Sequence, residues 1–296
     1  MPTTNRLGLG ILLILASGLL LASHDGLSKY LTQIYPVFFI VWARYLAQTL
    51  MMTAMFAPRM GKRLITTQAP KLQLARAMCL VGVSLFIFSA LMFIPLGEAT
   101  AVIFLSPVVV ILISAFVLKE KISLGVWASV AGGLLGVMII VRPGGDLFTP
   151  AILLPVAAAI CFGTYHVLTR RLSGIDHPVA SNYISSIIGT VVMSAFLPWV
   201  WVVPSFEHAL AIVSLAALAM GGHLCLTNAY HHASAATLAP FTYSQIIFAT
   251  LLGMIIFGHV PDLGGMLGMA IIIISGVCLA IGKARDRHRN KNAEAA

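Results

Sequence analysis

The chain has 296 residues, of which 59% are hydrophobic and only 9% are Asp, Glu, Lys or Arg, and its mean hydropathy is +0.99. A soluble domain carries roughly 25% charged residues. This composition excludes a soluble globule and predicts an all-α integral membrane protein. The net charge of +9 would suggest a nucleic-acid partner in a soluble chain, so its distribution decides what it means here.

Apolar runs of about 20 residues, the length that crosses a ~30 Å hydrocarbon core, follow one another along the chain between polar, proline or glycine breaks. We predict ten transmembrane helices from these runs. The predicted spans are 7–28, 36–56, 72–93, 98–118, 122–141, 150–169, 178–202, 209–229, 236–257 and 263–282. The first run also has the form of a signal peptide, but the internal repeat described below favours its retention as a span.

Basic residues fall unevenly on the two sides of these spans. Fourteen lie in the tails and connections on the side of residue 1, whereas Lys29 and Arg142 lie on the opposite side. Basic connections stay in the cytoplasm, so both termini are predicted to be cytoplasmic. The positive charge then reflects topology, and no nucleic-acid partner is predicted. The tail 283–296 either contacts anionic membrane lipid or is a solvated helix end.

The four cysteines lie singly inside apolar runs, with no CxxC pair and no His or carboxylate cluster at metal-ligand spacing. They are Cys79, Cys161, Cys225 and Cys278. We predict that they are small packing residues. Neither a metal nor a cofactor is predicted.

A weak internal repeat runs through the sequence. The segment 34–37 (Ile-Tyr-Pro-Val) resembles 176–179 (Asp-His-Pro-Val) at an offset of 142, and the segment 98–101 resembles 235–238 at an offset of 137. Similar matches in the same order, at nearly one offset, predict two copies of a five-helix unit.

The predicted units are 1–145 and 146–282, followed by the basic tail 283–296. Because each unit has an odd number of helices, the second copy is predicted to lie upside down relative to the first. Secondary transporters are commonly built from such inverted repeats, which alternately expose a site near the midplane to each side. The topology therefore predicts a transporter that works by alternating access.

Five short segments carry motifs that can be compared with known families. They are 94–102 (IPLGEATAV), 105–107 (LSP), 118–122 (LKEKI), 235–241 (AATLAPF) and 257–261 (FGHVP). With these motifs, residues 7–282 resemble the drug/metabolite transporter superfamily, EamA type. The resemblance implies a bacterial inner-membrane exporter of amino acids, aromatic ones included, and of related small metabolites. His259 departs from the Gly-Glu that usually precedes Val-Pro in this family.

Arg44 lies about eight residues into the second span, near the bilayer centre. An arginine there costs roughly 2.5–3.5 kcal/mol on insertion scales, so it is expected to face water or a partner. Either it binds a substrate carboxylate through its paired donors, or it hydrogen-bonds helix carbonyls. Arg76, near the start of the third span, is expected to extend to the membrane interface.

Two aromatic candidates lie near these depths. Trp42 adjoins Arg44, and Tyr165 adjoins His166. Both aromatic rings are candidates for stacking on an aromatic or cationic substrate, and packing in the core is the alternative. His166 is a further candidate for substrate contact.

Prolines interrupt related spans of the two halves. Pro107, preceded by Ser106, is expected to free the carbonyl of Ile103, and Pro240 is expected to free that of Ala236. Broken helices in both repeats mark the substrate site of transporters, whereas kinks that only improve packing are the alternative.

Further candidate substrate contacts lie in the eighth and ninth spans. They are His223, Thr227, Asn228 and Tyr230 in the eighth span and Tyr243, Ser244 and Gln245 in the ninth. The first group forms a polar stripe that either binds substrate or joins helices. Successive residues of a helix point in different directions, so only one or two of the second group are expected to line a cavity.

Two glycine pairs, Gly132 with Gly136 and Gly264 with Gly268, have the small-xxx-small spacing of close helix contacts. A contact within one subunit explains this spacing, and a functional monomer is predicted.

The acidic residues are expected to lie at or near span ends or in the tail. An intramembrane proton site would then have to use His24, His166 or His223. A facilitator driven by the substrate gradient needs no such site and is favoured, with a proton-coupled multidrug or cationic compound exporter as the alternative. An intramembrane enzyme is disfavoured because the sequence has no HExxH, paired acidic metal motif or phosphate-binding loop.

Overall fold

The structure is a computed structural model that describes residues 7–116, 124–141, 149–172, 175–232, 238 and 241–294. Regular structure in these ranges is entirely helical. The motif at 118–122, Arg142 and the break at Pro240 fall outside them. The side chains of Pro107, Thr227 and Tyr230 also lie outside the described part of the chain.

The helices follow the order of the apolar runs. They are α1 (Leu7–Thr32), α2 (Val37–Met60), α3 (Pro70–Leu91), α4 (Leu96–Ile103), α5 (Ser106–Phe116), α6 (Leu124–Val141), α7 (Leu153–Leu172), α8 (Pro178–Ser194), α9 (Leu197–Val200), α10 (Phe206–His232), α11 (Ser244–Phe257) and α12 (Leu263–Glu294). Short 3₁₀ helices at Gly61–Leu64 and Pro150–Ile152 follow α2 and precede α7.

The fourth predicted span is broken into two helices. Helix α4 ends at Ile103, and α5 begins at Ser106, immediately before Pro107. A proline has no N–H to donate to the carbonyl four residues earlier, so the helical ladder is interrupted at this point. The break expected at Pro107 is therefore present.

Five of the helical segments are long and apolar enough to cross a membrane. They are Gly8–Thr32, Val37–Leu64, Pro70–Leu91, Pro150–Thr169 and Phe206–Leu226. Five shorter apolar segments are Leu96–Val110, Val130–Val141, Val179–Ser194, Ser244–Phe257 and Leu263–Cys278. Together they follow the order of the predicted spans, but half of them are short of a full crossing in the described residues, so the count of ten spans stays a prediction.

Helix packing reveals the relation between the two halves. Five of the extensive helix contacts join α1 to α10, α3 to α7, α2 to α8, α4 to α11 and α6 to α12. In terms of the predicted spans, these are pairs 1–8, 3–6, 2–7, 4–9 and 5–10. If each span is replaced by its counterpart in the other half, five positions along, pair 1–8 becomes pair 6–3 and pair 3–6 becomes pair 8–1. Pairs 2–7, 4–9 and 5–10 become themselves. This is the contact pattern of two similar units related by a two-fold axis.

The pair α6 and α12 shows why small residues are needed at that axis. A Cβ atom added to Gly136 would lie 2.8 Å from the carbonyl oxygen of Gly268 and 2.6 Å from Cγ1 of Ile272. Only glycine lets the two backbones approach this closely. The predicted close helix contact thus occurs within one chain, between the two halves.

Candidate functional site

A cavity of about 130 Å³ lies between the two halves. It is lined by residues of α1, α2, α3, α4, α7, α8, α10 and α11. Its polar lining includes His24, Asp25, Arg44, Gln48, Ser84, Tyr165, Asn182, Ser186, His223 and Gln245. A concave site with a few convergent polar groups among apolar ones is the usual form of a small-molecule site.

Arg44, the eighth residue of α2, is only 6% exposed. Its Nη2 donates to Ser84 Oγ at 2.8 Å, its Nη1 donates to Gln48 Oε1 at 3.3 Å, and its guanidinium lies 4.1 Å from the ring centroid of Tyr45. Among the described residues, Nε has no hydrogen-bond partner. These neutral contacts orient the cation without neutralising it, and the planar guanidinium retains donor capacity for an anionic group.

Asp25 supplies the opposite charge in the same cavity. Its Oδ1 lies 2.9 Å from Nδ1 of His24, and its Oδ2 accepts a hydrogen bond of 3.2 Å from Nε2 of Gln245. Nε2 of His24 has no partner among the described residues, and its ring lies 5.7 Å from that of Phe88. The cavity therefore combines a carboxylate with a guanidinium.

Glu98 lies at the start of a helix, as expected, whereas Asp25 lies farther from the end of its helix than expected. Helix α1 continues four residues beyond the predicted end of its span, so Asp25 lies seven residues from the helix end and reaches the cavity. Glu98 lies in the first turn of α4 but is only 3% exposed, because α1 and the turn between α11 and α12 cover it. Glu98 is thus buried although it lies at a helix start, and Asp25 lines the cavity.

Five of the predicted site residues line this cavity. They are His24, Arg44, Tyr165, His223 and Gln245. Aromatic rings complete the wall, with Phe88, Phe104 and Phe162 among them. The structure thus brings together residues of the first, second, sixth, eighth and ninth predicted spans.

Other predicted site residues lie elsewhere among the described residues. Trp42 donates from Nε1 to Ser194 Oγ at 2.9 Å and packs edge-on against Trp201, with ring centroids 5.9 Å apart. His166 is exposed on α7, with its ring centroid 4.3 Å from that of Phe162. Asn228 is exposed on α10.

The remaining candidates on the fourth and ninth predicted spans are buried or half-buried outside the cavity lining. Tyr243 packs against Phe104, with ring centroids 5.3 Å apart. Ser106 is buried at the start of α5. Ser244 lies against Gly18, where an added Cβ would be 2.9 Å from its Oγ. Gln245 alone of the three consecutive polar residues reaches the cavity, as the helical spacing predicts.

Five of these polar lining residues were missed by the sequence interpretation. They are Asp25, Gln48, Ser84, Asn182 and Ser186. Gln48 had a usable signal, because it lies four residues after Arg44 on the same face of α2. Ser84 is an isolated polar residue in the apolar second half of α3, whereas Asn182 is one of several polar residues of α8. Only the packing of α3 and α8 shows which of these side chains point into the cavity.

The expectation that Arg76 extends to the membrane interface is wrong. Its side chain is 2% exposed and makes five hydrogen bonds to α7 and α8. The acceptors are Thr169 Oγ1 (2.8 Å), Ser181 O (2.9 Å), Ser185 Oγ (2.7 Å), Tyr165 OH (2.7 Å) and Asn182 Oδ1 (3.0 Å). The two helices enclose the guanidinium with acceptors on every side, so it has no need to reach water.

Asp176, in the turn between α7 and α8, extends this network. It accepts hydrogen bonds from Thr67 Oγ1, from the backbone N–H of Gln68 at 3.0 Å and from Gln73 Nε2 at 2.7 Å. Desolvation raises the pKa of Asp176, but these hydrogen bonds outweigh it and hold the pKa below the ordinary value of 3.8. We call this region, from Thr67 to Arg76 with Asp176 and its partners on α7 and α8, the Arg76 end of the molecule.

Comparison with known proteins identifies the architecture. A model of the EamA-like transporter family matches residues 8–142 and matches again at 149–281. The fold is similar to a protein of known crystal structure with a TM-score of 0.64 and 21% identity, covering 94% of this chain and 97% of that one. The same family unit therefore occurs twice in the chain.

Curated relatives are named as transporters. The chain is 27% identical to a riboflavin transporter of Vibrio cholerae over 73% of its length and 72% of the relative. It is 30% identical to a riboflavin transporter of Rhizobium johnstonii, over 80% and 78% of the two chains. It is 25% identical to an S-adenosylmethionine uptake transporter of Rickettsia conorii, over 92% of both.

These names agree with a multi-pass membrane transporter and give no support to amino acid export in particular. The repeated family match spans nearly the whole chain and accounts for the two-fold packing of its helices. The protein belongs to the EamA-like transporter family, within the drug/metabolite transporter superfamily.

Proposed function

We propose that this transporter carries a zwitterionic metabolite with an α-amino acid group, bound in the cavity between the two halves. The observation that carries the proposal is the presence of Asp25 and Arg44 in one cavity. A substrate ammonium would pair with Asp25, and a substrate carboxylate would take the donors of Arg44.

The neighbours of both charged residues favour this role. Asp25 is held by His24 and Gln245, and Arg44 is held by Gln48 and Ser84, so neighbouring side chains position both charged groups at the cavity. A carboxylate and a guanidinium in one cavity favour a ligand that brings both opposite charges.

The rest of the cavity suits an aromatic or otherwise apolar substituent. Phe88, Phe104 and Phe162 contribute to its wall, together with the ring of Tyr165. Aromatic amino acids and S-adenosylmethionine both combine an α-amino acid group with an aromatic ring system. The S-adenosylmethionine uptake relative and the predicted amino acid export thus differ in substituent and direction, while the recognised group is shared.

Riboflavin is the second candidate, because relatives are named for it and aromatic rings line the cavity. Its flat ring system would stack on these side chains. It carries neither an ammonium nor a carboxylate, so its binding would depend much less on Asp25 and Arg44.

The transport cycle belongs to the same proposal. The two units, 1–145 and 146–282, would lie inverted in the bacterial inner membrane, with both termini and the Arg76 end on the cytoplasmic side. Rocking of one unit against the other would expose the cavity to each side in turn. The basic residues Arg59, Lys62 and Arg63 beside the Arg76 end support this orientation.

Counterflow in proteoliposomes tests the substrate. Radiolabelled phenylalanine, S-adenosylmethionine and riboflavin would be compared, with loading from the inside and from the outside to measure direction. We expect Asp25→Asn and Arg44→Gln to raise the half-saturating concentration of the transported zwitterion at least about tenfold, the effect of roughly 1.4 kcal/mol.

The matched controls are Arg59→Gln, on the exposed end of α2, and Glu207→Gln, exposed in the first turn of α10. Both are expected to transport like the parent protein. Transport of riboflavin alone, with equal rates in the Asp25 and Arg44 variants, would replace the zwitterion proposal with the second candidate.

A further inference from the structure

A buried carboxylate contacts a half-exposed imidazole at the end of the molecule opposite the Arg76 end, away from the cavity lining. Glu98 Oε1 is 3.0 Å from Nε2 of His259. The Glu98 side chain is 3% exposed, whereas that of His259 is 40% exposed. Glu98 Oε2 is buried and has no hydrogen-bond partner among the described residues. The almost fully buried carboxylate of Glu98 thus contacts the imidazole of His259, and that imidazole reaches the solvent.

Two further charged residues lie near this pair. Lys29 of α1 interacts electrostatically with Glu98, while its Nζ donates to the carbonyls of Leu91 at 2.7 Å and Ile94 at 2.9 Å. Asp262, in the turn after α11, accepts from the backbone N–H of Gly265 at 2.7 Å. Among the described residues, the titratable and charged groups that face Glu98 are therefore Lys29, His259 and Asp262. We call these four residues the Glu98 end.

Glu98 and His259 belong to different halves of the molecule. Glu98 lies in the first family match and His259 in the second, 161 residues later. Helix α4 also packs tightly on α11, where a Cβ added to Gly97 would lie 2.5 Å from Thr250 Oγ1. Any change in the strength of the Glu98–His259 contact acts directly on the interface between the two halves.

We propose that Glu98 and His259 form a proton-binding site, and that protonation of His259 holds the two halves together at this end. With a neutral imidazole, Nε2–H donates an ordinary hydrogen bond to the carboxylate, and Lys29 balances the charge of Glu98. When His259 gains a proton, the same contact becomes a charge-assisted ion pair, roughly twice as strong. The exposed face of the imidazole keeps the added charge partly hydrated.

The direction of the effect follows from the chemistry. Histidine ordinarily changes charge between about pH 5 and pH 8. Below this range the contact is an ion pair and the Glu98 end stays closed. Above it the contact is weaker, and the two halves separate more readily. The site binds a proton from the face that His259 exposes.

Distance measurements on the whole protein test this without any substrate. Spin labels would be placed on Phe93→Cys and Val260→Cys, which replace exposed residues of the α3–α4 and α11–α12 turns in the two halves. The four native cysteines would first be replaced. In lipid nanodiscs, we expect the ratio of short to long distances to rise about fivefold between about pH 8 and pH 5, as a neutral hydrogen bond becomes charge-assisted.

His259→Gln keeps an amide donor and removes the titration, so its distance distribution is expected not to change with pH. Glu98→Gln is a second variant with the same expected outcome. His177→Asn is the matched control, because His177 is an exposed helix cap that accepts from Val179 N and asparagine caps equally well. It should keep the pH dependence of the parent.

Two outcomes would overturn the proposal. One is a parent protein whose distances do not change with pH, and the other is a pH dependence that survives in both His259→Gln and Glu98→Gln. Neither outcome depends on which metabolite is transported, so the substrate proposal above is tested separately.

Discussion

The Arg76 end and the Glu98 end both join the two halves, but they do so with different chemistry. At the Arg76 end, every guanidinium nitrogen of Arg76 donates to a neutral oxygen, and Asp176 accepts from neutral donors. At the Glu98 end, a carboxylate meets an imidazole and keeps one oxygen without a partner among the described residues. The first end is a network of neutral hydrogen-bond partners around one cation, whereas the second joins a buried carboxylate to a half-exposed imidazole.

Two interfaces between the same halves of a protein can therefore have different functions. A network of satisfied neutral hydrogen bonds stabilises one arrangement. The Glu98–His259 pair, with one carboxylate oxygen left without a partner among the described residues, is proposed to have two states that differ by a proton. Four substitutions, taken from the largest expected effect to the smallest, test this comparison.

The largest loss of stability is expected for Arg76→Leu. It leaves the oxygens of Thr169, Tyr165, Asn182 and Ser185 without their donor inside the protein. We expect a loss of about 3 kcal/mol or more, measured by thermal unfolding in detergent. Arg76→Lys, which keeps the charge and loses the planar fork, should lose less. An Arg76→Leu protein as stable as the parent would show that the network is not what holds this end.

Lys29→Met removes the cation of the Glu98 end while keeping the length of the side chain. The carbonyls of Leu91 and Ile94 lose their donor, and Glu98 loses a nearby positive charge. We expect a loss of about 2 kcal/mol in the same unfolding measurement. A loss larger than that of Arg76→Leu would reverse the order of the two ends and contradict the comparison.

Asp176→Asn should destabilise the Arg76 end by about 1 kcal/mol at neutral pH, because the site is partly exposed. The pKa of Asp176 is lowered in the folded protein. Its stabilising contribution is therefore complete above the ordinary pKa of about 4 and is lost as the pH falls through the lower folded value. Unfolding temperatures of the parent and the variant should converge in that acidic range, and a constant difference would contradict the assignment.

Trp42→Phe is expected to have the smallest effect, because Trp42 lies outside both ends. It removes the hydrogen bond to Ser194 and part of the contact with Trp201. We expect a loss of about 0.5–1 kcal/mol in the unfolding measurement. Counterflow should show an unchanged half-saturating concentration, and an increase of tenfold would return Trp42 to the substrate site.

Patterns along the chain were enough to predict the order of the helices and the break before Pro107, because hydrophobic periodicity and the missing proline N–H act locally. Arg44 was placed correctly near the cavity, since its cost in lipid requires a polar environment. The inverted orientation and the ten crossings stay predictions.

The errors share a physical cause. Arg76 was expected at the interface because no single segment shows that Thr169, Ser181 and Ser185 converge on it from two other helices. Asp25 was expected at a span end because the end of α1 was placed four residues too early. Long-range packing and exact helix limits are the quantities that local patterns specify least well.

Tyr165 gives the cavity a mechanical connection to one side of the protein. Its ring lines the cavity, while its hydroxyl receives a hydrogen bond from Arg76. A bound molecule that rotates the Tyr165 ring would weaken the hydrogen bond from Arg76. Substrate binding and closure of the Arg76 end would then be coupled, each changing the free energy of the other. Without substrate, the protein would then be closed at the Arg76 end, and substrate binding in the cavity would favour its opening.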